Sequence, residues 1–329
     1  MVTQSLHKNN SKLVSVIIPV FNRARMLEEA VDSVLAQTYK LIEVIIVDDG
    51  SNDDTVQRSQ SLAKKYSNVE FIRMANQGPA LARQAGLDRA RGEYIQYLDS
   101  DDLLLPDKFQ QQVTMLSANP SADVVYCKQT LLDTHNGART QAWMRTGETH
   151  ETMFPGMLGG RLWGTPVPLY RRTVLDKAGP WAQLSNLEDW EYDCRVAIYA
   201  RQLAYVNHNL VTIRRHNHGH YGNIEASADN KIKDKAIALR LIANHAKTAN
   251  IDHAHLEYRK FIRLCFFTSR QAAGAGYLKQ SQDLLAIAKT CSANNFKENI
   301  EYRLYQLLSR VFGWQTIAKL SAQFDRWRL

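Results

Sequence analysis

Short apolar runs alternate with amphipathic stretches through the first half of the chain. The runs Val14–Val20, Glu43–Val47, Val69–Ile72 and Tyr94–Leu98 have the composition of buried strands, and Val124–Tyr126 is predicted as a fifth. Between these runs, apolar residues recur every three or four positions, which is typical of amphipathic helices. The alternation predicts an α/β fold with a mostly parallel sheet flanked by helices.

The remainder of the chain has a different pattern, because from about residue 226 it is helical throughout. Its final stretch, Trp314 to Trp327, places aromatic and apolar residues at helical spacing among basic ones. Such a face either packs on a neighbouring helix or lies on an anionic membrane, and both interpretations stay open. The predicted organisation has three parts: a flexible N-terminus (1–12), an α/β domain (13–225, with halves 13–129 and 130–225) and a helical C-terminal region (226–329).

Three carboxylates, Asp99, Asp101 and Asp102, follow the fourth predicted strand within four residues. Like charges at this spacing repel one another unless a cation or hydrogen-bond donors compensate them. A divalent ion that carries phosphates would do so, because hard cations such as Mg²⁺ take oxygen ligands. The alternative is that these acids lie at the start of the next helix, which Pro106 indicates, where the helix dipole favours negative charge. One carboxylate would suffice for that stabilisation. The run therefore predicts a metal site.

Polar residues follow the other predicted strands in the same way. They are Asn22 and Arg23 after the first strand, Asp48 and Asp49 after the second, and Asn76 and Gln77 after the third. Each of these residue types is also common in turns and at helix starts. Because the carboxyl ends of parallel strands share one edge, where open α/β sheets bind ligands, we interpret the four loops together as a binding crevice.

The crevice lacks a glycine-rich phosphate loop, since the segment after the first strand matches neither GxGxxG nor GxxxxGK(S/T). A metal held by the acidic run can bind phosphate instead. Asp48 or Asp49 can accept hydrogen bonds from a base or ribose, whereas Phe21 either covers a base or packs in the core. Arg83 either offsets phosphate charge or is a solvated helix residue.

Composition limits the partners and the compartment. The net charge of +8 suits an anionic partner, such as a nucleotide, an acidic polymer or an anionic membrane face. The four cysteines are far apart and form no CxxC pair, so we expect neither a zinc site nor a disulfide framework. This favours a reducing compartment, the cytoplasm. We expect no secretory signal and no membrane span of about 20 apolar residues.

A series of segments resembles glycosyltransferase family 2, the inverting enzymes of the GT-A fold. The segments agree with that family in order and spacing over residues 14–109, although Gln84 stands where the family usually has asparagine. They are Val16–Asn22, Ser33–Thr38, Val47–Thr55, Asn76–Gly78, Ala82–Gly86, Gly92–Ile95 and Leu98–Asp102. The resemblance implies a GT-A fold that binds a nucleotide sugar, most often a UDP-sugar, with Mn²⁺ or Mg²⁺.

The resemblance also implies a role for each matching position of the donor half. Pro19, Phe21 and Asn22 would line the nucleotide pocket, Asp49 with Asp48 would recognise the base, Arg83 would lie near the phosphates, and Asp99, Ser100, Asp101 and Asp102 would form the DxD region that binds ribose and the metal.

On the acceptor side, Glu188 and Asp189 stand at a predicted helix start, where acidic residues are common for electrostatic reasons alone. In the family, an aspartate of such a pair, followed about six residues later by an arginine, is the general base; Asp189 and Arg195 match that spacing. His216, just after an apolar strand, would be a third metal contact, although a histidine-rich loop is as often plain surface.

These implications predict a metal-dependent inverting glycosyltransferase of bacterial surface polysaccharide synthesis. The acceptor would be a hydroxyl of a glycan or lipid-linked glycan, and no nucleic-acid partner is expected. The C-terminal helices would contact the inner face of the cell membrane, a partner or only the catalytic domain, and these alternatives stay open. A non-catalytic nucleotide-sugar or glycan binder of the same fold is the alternative. A phosphatase of the haloacid dehalogenase type is disfavoured, because Leu103 stands where that family has Thr or Val.

Overall fold

The computed structural model describes residues 12–216, 228–292 and 296–326. These residues divide into two compact units. The first comprises Met1–Met153, Arg161–Gln183 and Tyr199–Asn223, and the second comprises Phe154–Gly160, Leu184–Ile198 and Ile224–Leu329. Apart from Lys12, the predicted flexible N-terminus lies outside the described residues, and the predicted domain limits stay a prediction.

The first unit is built on one sheet, in which the described residues form nine strands. The strands are β1 (Val14–Val20), β2 (Ile42–Asp48), β3 (Val69–Arg73), β4 (Tyr94–Tyr97), β5 (Leu103–Leu104), β6 (Ala122–Asp133), β7 (Arg139–Thr140), β8 (Leu169–Arg171) and β9 (Gln202–Arg215). They lie in the order β3-β2-β1-β4-β8-β6-β9-β5, with β7 paired to β6. The predicted α/β architecture is confirmed.

Strands β3, β2, β1 and β4 form the parallel part of the sheet, as the apolar runs predict. Ile17 of β1 lies opposite Ile45 of β2 and Tyr97 of β4, and all three side chains are buried. Residues buried on both faces of a parallel sheet give continuous apolar runs, which explains the strength of the sequence signal. The carboxyl ends of these four strands therefore share one edge.

The other part of the sheet is mixed in direction. Strand β8 pairs antiparallel with both β4 and β6, whereas β6 and β9 run parallel to each other. The predicted fifth strand at Val124–Tyr126 is only the first portion of β6, which continues to Asp133. Strand β5 follows the acidic run directly and pairs antiparallel with β9, so that β9 is held beside that run.

Five helices accompany the sheet within the first unit: α1 (Ala24–Leu35), α2 (Thr55–Lys65), α3 (Pro79–Arg89), α4 (Lys108–Ala118) and α5 (Arg172–Ala178). Helix α1 buries Leu27, Val31 and Val34, which are spaced at one face. Helix α3 approaches β1 so closely that a Cβ on Gly86 would overlap the side chain of Ile17. Glycine at this position is therefore required by packing.

The second unit is helical. It contains a 3₁₀ helix (Gly156–Gly159), α6 (Glu188–Val196), α7 (Ala228–Thr248), α8 (Leu256–Gly274), α9 (Leu278–Cys291), α10 (Phe296–Phe312) and α11 (Trp314–Arg326). Trp190 of α6 packs edge-on against Phe261 of α8 and donates its indole N–H to the carbonyl of Met157 at 2.6 Å. Among the described residues, no helix is long and apolar enough to cross a membrane.

A buried ammonium group lies in the core of the first unit. Lys108 of α4 is fully buried, and its Nζ donates to the side-chain oxygens of Gln96 and, at 2.6 Å, of Gln112. The two amides in turn donate to backbone carbonyls, Gln96 to Pro166 and Gln112 to Val167. Burial lowers the pKa of Lys108 from 10.5 to about 8.

This lysine predicts a distinct pH dependence of stability. Between about pH 8 and 10.5 the unfolded chain binds more protons at Lys108 than the folded chain, so stability rises with pH there. We expect the free energy of unfolding of the wild type, relative to Lys108→Met, to increase by up to about 3 kcal/mol over that window. Urea unfolding at pH 7.5 and 10.5 measures it.

The exposed Lys64 of α2 supplies the control, because Lys64→Met removes a lysine without altering the core. If the free energy of unfolding of the wild type differs from that of Lys108→Met by the same amount at both pH values, the lowered pKa of the buried Lys108 amine is contradicted.

Candidate active site

Four loops of the first unit begin where β1, β2, β3 and β4 end, at the shared carboxyl edge of the parallel strands. The first carries Asn22 and Arg23, the second begins at Asp49, the third carries Asn76 and Gln77, and the fourth contains the acidic run. The structure thus places at one edge the loops that the sequence analysis grouped together. Pro19 is buried within β1 and Phe21 is half-buried just after it.

Asn22 joins the first two loops. Its backbone is left-handed, with φ of 51°, a conformation that asparagine tolerates better than most residues. Its N–H donates to the Ser51 hydroxyl and its side-chain oxygen accepts from the backbone of Asn52, both at 2.9 Å. Asn22 therefore fixes the relative position of these loops, whether or not it also touches a ligand.

Asp49 fixes the backbone that leads into α3. Its two carboxylate oxygens accept the backbone N–H groups of Gln77 and Gly78, each at 2.8 Å. Burial raises the pKa of Asp49, and these two N–H groups oppose that rise. The loops meet tightly, because a Cβ on Gly50 would lie 2.8 Å from the backbone nitrogen of Asn76. Asp49 is fully buried, and each of its carboxylate oxygens keeps a second lone pair that can accept a further hydrogen bond.

Asp48 is fully buried at the end of β2 and serves the same turn. Its carboxylate accepts from the backbone of Ser51 at 3.2 Å and lies 3.4 Å from the guanidinium of Arg73. Asp48 therefore stabilises its own loop, whereas Asp49 binds the backbone that leads into α3.

Arginines from two different elements pair with the first two acids of the acidic run. Arg23, just before α1, pairs with Asp101, and Arg83 of α3 pairs with Asp99 at 2.8 Å. The Arg83 guanidinium also lies over the ring of Trp181, 5.0 Å from its centroid. The like charges of the run are thus compensated by guanidinium groups in this structure.

Asp102 is turned into the protein, where its Oδ1 accepts the backbone N–H of Arg214 of β9 at 2.9 Å. The Arg214 guanidinium continues to the backbone carbonyl of Asp101 and to Glu29 of α1. Burial raises the pKa of Asp102 well above its usual range, and the charges of Asp101 and Asp99 raise it further. Asp102 therefore ties the run to β9.

The acidic run has the donor chemistry that a divalent ion requires. Its carboxylates are hard oxygen ligands, and a dication would relieve their mutual repulsion. The Ser100 hydroxyl between Asp99 and Asp101 is buried without a hydrogen-bond partner among the described residues, as expected of a group awaiting a ligand. The residues present therefore fit Mg²⁺ or Mn²⁺. Among the described residues, no cluster of three or more His, Cys, Asp or Glu side chains is arranged around a common metal position.

His216 is the first residue after β9, and its Nδ1 lies 3.2 Å from the hydroxyl of Thr134. The rest of the histidine-rich segment lies outside the described residues. The assignments of Asp101, Asp102 and His216 as metal ligands stay predictions.

Glu188 and Asp189 belong to the second unit, in the first turn of α6. Leu187 precedes them with a left-handed φ of 60°, and Asp189 Oδ1 accepts the backbone N–H of Trp190 at 2.7 Å. The acids thus occupy the helix start that the sequence predicts. Their roles as base and partner stay predictions.

A buried carboxylate that the sequence analysis passed over, Glu191, lies in the same first turn of α6. Glu191 accepts from Arg195 at 2.9 Å and lies 2.7 Å from Nε2 of His245 on α7. Burial acts to raise the pKa of Glu191, but the hydrogen bonds from His245 and Arg195 outweigh it and lower the pKa overall. The glutamate–arginine spacing of four on α6 could have indicated the first pair, whereas nothing local indicates His245.

Comparison with known proteins finds one matching family and several relatives. The model of one protein family, described as Glycosyl transferase family 2, matches residues 15–175. An uncharacterized glycosyltransferase of Rickettsia felis is 44% identical over 119 residues, which are 36% of this chain and 19% of that protein. The putative glycosyltransferase EpsH of Bacillus subtilis is 29% identical over 214 residues, 62% of this chain and 61% of that protein. The first five curated relatives are matched over 18% to 44% of their own length.

Solved structures share the fold over most of the chain. S. aureus TarS 1-349 in complex with UDP has a TM-score of 0.69 and 19% identity, covering 94% of this chain and 91% of that chain. The mannosyltransferase PcManGT from Pyrobaculum calidifontis, in complex with GDP-Man and Mn²⁺, has a TM-score of 0.53 and 17% identity, covering 96% and 88%. The predicted GT-A fold is confirmed.

The double hydrogen bond of Asp49 predicts a structural cost of mutation. Asp49→Asn replaces one acceptor by an amide NH₂ that faces a backbone N–H, so we expect the free energy of unfolding to fall by about 1–3 kcal/mol. Asp54 is the residue just before α2, and its side chain makes no capping hydrogen bond. Asp54→Asn should therefore change the free energy of unfolding by less than about 0.5 kcal/mol. Equal effects of the two substitutions in urea unfolding would contradict the role of the Asp49 carboxylate in holding the backbone of Gln77 and Gly78.

Proposed function

This chain belongs to glycosyl transferase family 2 through residues 15–175, and we propose that it transfers a sugar from a nucleotide sugar, in the first place a UDP-sugar, to a hydroxyl of a glycan or lipid-linked acceptor. The observation that carries the proposal is the grouping of Asn22, Asp49 and the acidic run at the carboxyl edge of parallel strands, where α/β folds bind nucleotides. We assign the protein to surface polysaccharide synthesis in a bacterial cytoplasm.

The donor is proposed to bind in this crevice of the first unit. Asp49 and Asp48 would recognise the base, Pro19, Phe21 and Asn22 would line the pocket, and Arg83 would lie near the diphosphate. Two fold neighbours support a nucleotide donor, since TarS is described with UDP-GlcNAc and PcManGT with GDP-Man and Mn²⁺.

Asp99, Ser100, Asp101 and Asp102 are proposed to hold ribose and a divalent ion, with His216 as a further ligand. When bound, that ion would offset the negative charge that develops on the departing nucleoside diphosphate. The carboxylates of Asp99 and Asp101 would hold the ion that offsets the charge of the diphosphate, and Asp102, bound to the Arg214 backbone, keeps the acidic run in place.

Asp189 is proposed as the general base and Glu188 as its neighbour. A carboxylate near the acceptor can take the hydroxyl proton as the oxygen attacks the anomeric carbon. One displacement breaks the bond from that carbon to the diphosphate oxygen and inverts the configuration without a covalent enzyme intermediate.

Two substitutions separate donor binding from proton transfer. Asp101→Asn should weaken UDP binding in the presence of Mn²⁺ by at least about tenfold, because it removes a charged oxygen ligand. Asp189→Asn should leave UDP affinity within about twofold of wild type and lower turnover by about 10²- to 10⁴-fold, because it removes only the base. Calorimetry measures the first change, and nucleotide release from a panel of UDP-, GDP- and dTDP-sugars measures the second.

Asp107→Asn, at an exposed position before α4, is the matched control and should change neither quantity. UDP binding that is independent of metal and unaffected by Asp101→Asn would refute the metal-site assignment. A protein that binds UDP but turns over no donor, with Asp189→Asn indistinguishable from wild type, would be the non-catalytic binder.

Helix α10 of the second unit carries an exposed apolar surface, which would contact the membrane that holds a lipid-linked acceptor. On α10, Ile300, Leu304, Leu307 and Val311 are each about half to two-thirds exposed and follow one another at spacings of four, three and four, so they form a single apolar stripe. Arg303 and Arg310 are exposed on the same helix beside it. We propose that this stripe contacts an anionic lipid surface, since the arginines match anionic headgroups and would repel each other across a pair of identical helices.

Vesicle sedimentation tests this contact. Wild-type protein should bind vesicles that contain phosphatidylglycerol more strongly than vesicles of phosphatidylcholine alone, and Leu304→Gln with Leu307→Gln should abolish the difference. Leu256→Gln, at an exposed leucine of α8, is the control. Unchanged vesicle binding by the double variant would reject the membrane contact. If light scattering gives the double variant half the molecular mass of the wild type, the stripe mediates self-association instead.

A further inference from the structure

Residues 164–167, which we call the β8 loop because they lead into β8, are held from inside the first unit by three fully buried glutamines. Gln129 accepts the first backbone N–H of this loop at 3.0 Å. Gln96 and Gln112 donate their amide N–H groups to the backbone carbonyls of its last two residues, at 3.0 and 3.1 Å. The loop is therefore anchored at both of its ends by side chains of the core.

Lys108 determines which way two of these amides point. Its Nζ has hydrogen-bond donors only, so the atom of Gln96 and of Gln112 that it contacts is the amide oxygen. The amide nitrogens then face the other way, toward the two carbonyls of the β8 loop, which can only accept. The buried lysine therefore makes the network directional, from its own Nζ through two amides to the loop backbone.

The β8 loop fits its support closely and carries small side chains. A Cβ on Gly164 would lie 2.8 Å from Oε1 of Gln129, so the close approach of this backbone requires glycine. Thr165 follows it, and 7% of the surface of this residue is exposed. The N–H of Val167 donates back to the carbonyl of Gly164 at 3.0 Å, which closes the loop into a turn. The loop therefore presents a short backbone wall of defined shape.

The β8 loop lies at the same edge of the sheet as the acidic run. Strand β8 runs antiparallel to β4, with Tyr170 opposite Ile95, so the residues that lead into β8 lie at the carboxyl end of β4. The acidic run begins two residues after β4 ends. The hydrogen bond from Gln96 of β4 to the loop shows the same proximity. The loop is therefore the neighbour of the acidic run on the side away from β1.

The order of the strands assigns one part of the donor to this loop. A nucleotide sugar is a linear molecule, in which base, ribose, diphosphate and sugar follow one another. The strands lie in the order β2-β1-β4-β8, with Asp49 after β2 and the acidic run after β4. Neighbouring strands are about 4.8 Å apart. With the base at β2 and the diphosphate at β4, as proposed above, the sugar extends to the β8 loop.

We propose that Lys108 is a positioning residue for the sugar of the donor. Through Gln96 and Gln112 it fixes the backbone of the β8 loop, and that backbone is the wall against which the sugar binds. Lys108 itself lies in the core and acts without touching the donor. The inference rests on the proposed function, because the places of the base and the diphosphate are taken from it.

Removal of the lysine should change the recognition of the sugar and spare that of the nucleotide. Lys108→Met leaves two buried amide oxygens without a donor, so the amides and the β8 loop lose their fixed orientation. UDP should bind within about twofold of wild type. Among UDP-GlcNAc, UDP-GalNAc, UDP-glucose and UDP-galactose, the wild type should bind the best at least about tenfold more tightly than the worst, and Lys108→Met should reduce that ratio about fivefold. Calorimetry with Mn²⁺ on the full chain measures these affinities.

Two further variants separate positioning from lost stability. Gln112→Met keeps the lysine and removes only the hydrogen bond to the last carbonyl of the β8 loop, so it should reduce the ratio in the same direction. Leu62→Ala is the control, because Leu62 is buried on α2, which packs on β3 at the far end of the sheet. It should lower the melting temperature and leave the ratio unchanged. Thermal unfolding identifies a variant that fails to fold, and Gln112→Met replaces Lys108→Met in that case.

The outcomes distinguish this inference from the function on which it rests. An unchanged ratio in Lys108→Met, or equal weakening of UDP and of every UDP-sugar, would overturn the positioning role while leaving the nucleotide site intact. A wild type that binds UDP and binds the four UDP-sugars equally well would do the same. A wild-type protein that binds no UDP would overturn the proposed function and this inference together.

Discussion

The compensation of three neighbouring carboxylates is the constraint on which the donor half depends. Asp99, Asp101 and Asp102 leave β4 together, and their repulsion must be balanced before the loop can adopt one conformation. The side chains of Arg23 and Arg83 and the backbone N–H of Arg214 supply that balance. The acidic run is thus where separate parts of the first unit are joined.

This constraint explains why the edge of the sheet is a preorganised site. The Arg214 backbone holds Asp102 inside the protein, so the other two carboxylates are presented outward on a fixed loop. On the adjoining loops, Asn22 and Asp49 form hydrogen bonds that hold neighbouring loops in place. The functional candidates therefore also act as structural supports, and a mutation at one of them changes both stability and binding.

The sequence predicts what is local and periodic in this molecule. Runs such as Val14–Val20 identify the parallel strands, and parallel order then places their loops at one edge. The pairing of Arg214 with residues more than a hundred positions earlier has no local signal, and neither does the contact of His245 with Glu191. The short predicted strand at Val124–Tyr126 lengthens in the structure because β9 pairs with it throughout, which is again a non-local contact.

Anomalous diffraction from crystals of the protein grown with Mn²⁺ and UDP tests the central claim most directly, because it locates the metal independently of any assumption about ligands. We expect one Mn²⁺ peak beside the Asp101 carboxylate and the UDP diphosphate next to it, at the carboxyl edge of the parallel strands. A Mn²⁺ peak away from the acidic run, or UDP bound away from that edge, would contradict the claim.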